Sequence, residues 1–96
     1  MHNLLDQLRN QTPVGVTDVV DRGSSVYIAV RYGSLTGGVV CRKKSPVRAV
    51  DLTLAHEDQT VVVAGSNTAE VAGNIWSLLE AQSRREARAA QSDLVA

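Results

Sequence analysis

SVYIAVRY, residues 25 to 32, sets the period of the chain. Val26, Ile28, Val30 and Tyr32 occupy every second position, with Tyr27, Ala29 and Arg31 between them. That alternation belongs to a strand whose two faces meet different surroundings. On either side, β-branched residues alternate from Val14 to Ala64, broken by turn residues at Asp21 to Ser24, Gly33 to Gly38, Lys44 to Pro46 and His56 to Gln59. Five strands are predicted, over 14–21, 25–32, 38–43, 47–54 and 60–64. Such short connections permit only antiparallel neighbours, so the simplest topology is a meander.

Helical signals flank this region. Leu4, Leu5 and Leu8 follow Asn3 at helical spacing, and Thr12-Pro13 ends that short helix because proline disfavours helix in the residue before it. Asn67 to Glu70 reads as a capping box, after which Val71, Ile75, Leu78 and Leu79 mark one helical face beside Trp76. Favourable residues continue to about Gln91, a helix of ~36 Å against ~23 Å for a seven-residue strand. The expected fold is α+β: a meander sheet with a short N-terminal helix and a long C-terminal helix packed on one face. The C-terminal helix overhangs its sheet, and residues 92–96 form a tail that frays.

Ninety-six residues fit a single domain. The chain is 44% hydrophobic but contains no Phe, so its core has to be aliphatic. Ten basic and ten acidic side chains cancel, which leaves no global field to attract nucleic acid or anionic lipid. Cys41 is the only cysteine, so an intrachain disulfide and a cysteine zinc cluster are both excluded. With neither a signal peptide nor a membrane span legible, a reducing, cytoplasmic location is expected. Abundant Ala, Val and Arg beside two Lys fits a bacterial or phage chain from a GC-rich genome.

The alternation divides the sheet residues between two faces. Val26, Ile28, Val30, Tyr32, Val50, Leu52 and Leu54 make a surface fit for a helix. Val19, Tyr27, Ala29, Arg31, Val40, Arg42, Thr53 and Val62 make the other, which is more apolar than a solvated sheet surface usually is. The N-terminal helix is one candidate cover for this second face; a second copy or a protein target is the other. Along the overhanging helix a seam of small residues, Ser83, Ala87 and Ala90, continues from Ala72 and Leu79. It permits close helix approach, although alanines are equally good formers of an exposed helix.

Chemistry-bearing groups are sparse. Arg42, Lys43, Lys44 and Arg48 gather positive charge in one hairpin, with Tyr27 and Arg31 on the adjoining face and Arg84, Arg85 and Arg88 as a second basic group. Cations beside an aromatic ring suit single-stranded nucleic acid, whereas charged edge residues also serve simply to block aggregation. His56, Glu57 and Asp58 are adjacent turn residues with poor ligand spacing, so no metal is expected. Cys41 falls with Val39 on the inward face, where a thiol acts as a small hydrophobe. Gly33, Gly37 and Gly38 lack the spacing and lysine of a phosphate loop and read as turn residues. The chain is expected to be a non-catalytic protein-interaction module, an accessory factor without cofactor, membrane contact or small-molecule substrate. It would form a homodimer or bind a protein through Val19, Tyr27, Arg31, Val40, Val62 and the helical seam. Nucleic-acid binding by the basic residues is the alternative.

Overall fold

The alternating stretches do become strands of one sheet. The computed structural model describes residues 2–42, 49–55 and 59–95. In it β1 (Gly15–Asp21), β2 (Ser25–Tyr32), β3 (Leu35–Arg42), β4 (Ala49–Leu54) and β5 (Thr60–Ala64) lie side by side in chain order, each antiparallel to the next. Before them comes α1 (His2–Gln11) and after them α2 (Thr68–Val95). The architecture is the expected α+β meander with a short first and a long last helix.

One face of the sheet makes the core. Val26, Ile28 and Val30 of β2 join Val39 and Cys41 of β3, Val50 and Leu52 of β4 and Val63 of β5. Val71, Ala72, Ile75 and Leu79 of α2 close over them. Apolar burial of this kind stabilises by about 25 cal/mol per Å² removed from water, and aliphatic side chains supply nearly all of it here.

The N-terminal helix does not cover the opposite face. Leu4 and Leu8 are fully buried in the same core, and α1 packs on α2 and β1. Thr12 explains the placement: its hydroxyl donates to the Leu8 carbonyl at 2.7 Å and accepts the Val14 N–H at 3.2 Å. Val14 is itself buried, so the end of α1 is held against the start of β1 on the helix side.

Two strand boundaries or registers differ from expectation. The second hairpin closes over Gly33 and Ser34 alone, with Tyr32 opposite Leu35. Gly33 has φ +61°, while Ser34 stays at negative φ, the pattern of a type II′ turn. Gly37 and Gly38, read from sequence as turn residues, therefore lie inside β3 opposite Val30 and Ala29. In β1 a bulge between Val16 and Asp18 inserts an extra residue. Beyond it the faces exchange, because one added residue inverts a period of two. Of the strand expected over 47–54, residues 47 and 48 lie outside the described residues.

At the start of α2, Asn67 Oδ1 accepts the Glu70 N–H at 2.9 Å, which is half of a capping box. The Glu70 carboxylate takes the Ser66 hydroxyl instead of reaching back to the Asn67 N–H. The 28 residues of α2 span ~42 Å. Gln82 is the last fully buried residue described in it, and Ala87, Arg88 and Ala89 are exposed. The helix does overhang the sheet.

Candidate functional site

Because directly opposed residues in an antiparallel pair point the same way, the register assigns the outer face residue by residue. One row crosses the whole sheet: Val20, Tyr27, Val40, Asp51 and Val62. The adjoining row is Asp18, Ala29, Gly38, Thr53 and Thr60. The first is mostly apolar and the second mostly small. No described element covers either row.

Tyr27 links them. A Cβ added to Gly38 would fall 2.3–2.6 Å from the Tyr27 ring and hydroxyl, so the ring lies where a side chain at 38 would stand. The Arg22 guanidinium sits over the same ring at 4.7 Å, a cation–π contact. Beside the ring lies a depression of ≈ 480 Å³ lined by Ala29 and Gly38 and walled by Tyr27, Thr36, Val40 and Thr53. Thr53 and Thr60 share a hydroxyl–hydroxyl bond of 2.8 Å on this face. Val20 is 39% exposed and Val62 64%, while Tyr27 and Val40 are half-buried.

Tyr27, Arg31, Val40 and Val62 thus share the outer face as expected. Val19 does not. The β1 bulge sets it opposite Ile28, on the helix side, and Val20 takes its place outside. No periodicity reveals that extra residue. Thr17-Asp18, polar where the alternation asks for an apolar side chain, is the faint signal of it. Ser83 and Ala87 belong to α2, on the other side of the sheet, and do not extend the face. Ala72 and Leu79, the start of their seam, are core residues. Ala90 falls outside the described side chains.

The basic residues divide similarly. Arg42 is exposed on the outer face opposite Ser25. Arg31 is at the other end of that face, where its Nε donates to the Gly33 carbonyl at 3.1 Å. Arg84 pairs with Glu80 at 2.6 Å and Arg85 with the Gln82 side chain, both along α2. Arg85 lines a crevice with Leu54 and Gln59, at the opposite end of the sheet from Arg42. Among the described residues, Arg42 and the α2 arginines therefore do not merge into one surface. Arg88 is exposed on α2, and Lys43, Lys44 and Arg48 lie outside the described residues.

Cys41 is fully buried, and loss of solvation pushes its pKa up from 9.0 to about 11. The protonated thiol is favoured in the folded chain, so the stability this contributes is whole below pH ~9 and is lost as pH rises through ~11. Two pH units correspond to roughly 3 kcal/mol. Urea titrations of the wild type and Cys41→Ala should show the wild type losing about 2 kcal/mol more stability between pH 8.5 and 11. Parallel curves would contradict the burial.

His56, Glu57 and Asp58 lie outside the described residues. Among the described residues no three His, Cys, Asp or Glu side chains group closely enough to hold a metal ion. No described helix is long and apolar enough to cross a membrane. The Trp76 Nε1–H is buried without an acceptor while its ring packs against the core. Compared with protein-family models, with curated proteins and with solved structures, the chain finds no match in any of the three.

Proposed function

We propose that this protein is a non-catalytic interaction module that grips another protein through its outer sheet face. One observation carries the reading: α1 and α2 share a single face, leaving the row Val20, Tyr27, Val40 and Val62 beside an open depression with no described cover. Apolar rows beside a concavity mark contact sites more often than solvated surface. Asp18, Arg31 and Arg42 flank the row with both signs of charge, as at the rim of a protein contact, and Asp51 interrupts it between Val40 and Val62. The only thiol is buried and held protonated, a poor nucleophile, which supports a binding role over catalysis. A bacterial or phage accessory factor working in the cytoplasm fits this set of features.

Nucleic-acid binding is the second reading, favoured by Arg22 over Tyr27 with Arg31 and Arg42 on the same face. Arg22 occupies the ring that a base would stack upon, which weighs against it. Val40→Lys separates the two. Lysine at 40 removes apolar contact, adds a cation and can pair with Asp51 across the strands. Capture from host lysate, with and without nuclease, should recover a nuclease-insensitive protein on the wild type and lose it on Val40→Lys. Nuclease-sensitive capture that Val40→Lys strengthens would favour the second reading, and capture indifferent to residue 40 would overturn both.

A further inference from the structure

The two edges of the sheet are built differently. β1 carries a bulge and the charges of Asp18 and Asp21, devices that deter pairing with another strand. β5 has neither: Thr60, Val61, Val62, Val63 and Ala64 contain no charge, no proline and an unbroken register with β4. Val61, opposite Leu52, is 48% exposed on the helix side, and Val62, opposite Asp51, is 64% exposed on the outer side. The open edge is apolar above and below.

We propose that β5 pairs antiparallel with β5 of a second copy about a two-fold axis at Val62, joining two sheets into one. The strand complements itself. Centred on Val62, the pairing sets Val61 against Val63 and Thr60 against Ala64, so no charge meets a like charge. β1 paired with itself would instead gather the Asp18 and Asp21 carboxylates. β5 paired with β1 would make an unclosed head-to-tail chain against a bulged strand. Only the β5 pairing is both closed and free of these conflicts.

Helix placement adds the area that five residues cannot. A specific contact buries about 800 Å² per partner, more than a short strand provides. Of the strands, α2 packs most on β5 and less on β2 and β4, so part of the helix stands beside this edge. A two-fold axis normal to the sheet would set the two α2 helices antiparallel on the same side of the joined sheet, where they can add contact beside the strands. Asn74 Nδ2 donates to the Ala64 carbonyl at 2.7 Å, so the last residue of β5 is tied to its own helix and the central residues Val61 to Val63 carry the pairing. The two outer faces would become one continuous surface.

Sedimentation velocity over a concentration series, with circular dichroism as a check of folding, tests the pairing. The wild type should dimerise. Val62→Lys, which faces Asp51 within its own sheet but another lysine across the axis, should weaken self-association by about tenfold or more. Val62→Thr, neutral and strand-favouring, should keep the dimer, as should Val40→Lys on the outer face. Hydrogen exchange should show concentration-dependent protection of the β5 amides that point away from β4, and none along β1. A monomeric wild type at high micromolar concentration overturns the proposal, and so does a dimer indifferent to Val62→Lys. A dimer broken by Val40→Lys alone would also overturn it and assign self-association to the outer face. Failure to capture an outside protein would leave this result unaffected, so the two proposals fall separately.

Discussion

Ile75→Ala is expected to lower unfolding stability by about 3–4 kcal/mol, while Val62→Ala changes it by less than ~0.5 kcal/mol at dilutions where the chain is monomeric. Both substitutions shorten a β-branched side chain, so the difference lies in surroundings. Ile75 is fully buried where α2 crosses the sheet, and truncation leaves a cavity among rigid neighbours. Val62 is 64% exposed on the face without a described cover and leaves no cavity. A domain of this size has only about 5–10 kcal/mol to lose, so the first change consumes a large share of it. Urea unfolding midpoints with a common slope would measure both. Equal losses at the two positions would mean that each face is enclosed, and the proposed contact surface would disappear.

Two glycine substitutions should move stability in opposite directions. At the junction of β5 and α2, a Cβ on Gly65 would stand 2.9 Å from the Val71 nitrogen and 3.1 Å from the Glu70 carbonyl carbon. Both are backbone atoms of the first turn of α2. That turn is pinned by the Asn67 cap and by the Val71 N–H donating to the Asn67 carbonyl at 3.0 Å, so it cannot yield cheaply. Gly65→Ala should cost roughly 2 kcal/mol through this overlap. Gly73, within α2, has nothing within 4 Å of an added Cβ. Gly73→Ala should stabilise by up to about 1 kcal/mol, since alanine loses less chain entropy in a helix. Thermal or chemical unfolding of both variants gives the comparison; a neutral Gly65→Ala would contradict the tight junction.

How far the sequence could be read depended on the range of the force involved. Residues 25–32 were legible because a strand's period is carried by its own residues, and the cap at Asn67 because its partner is three positions away. Gly37 and Gly38 misled for the converse reason. Glycine marks a turn when only neighbours along the chain are considered, yet here Gly38 makes room for a ring from the next strand. Val19 falls on the helix side, against the alternation, because pairing with β2 determines the bulge, and pairing is a property of two strands. Of the candidate site, Tyr27, Arg31, Val40 and Val62 followed from alternation alone. Val20 and the depression beside it did not.

Local physics in the chain determined the number of strands, their antiparallel order, the two helices and the aliphatic character of the core, since hydrophobic period and turn chemistry act over a few residues. Tertiary structure alone decided that α1 joins α2 on one face, that the β1 bulge exchanges Val19 for Val20, and that no described residue covers the other sheet face or the β5 edge. Those outcomes depend on which surfaces exclude water together, and residues distant in the chain settle that jointly.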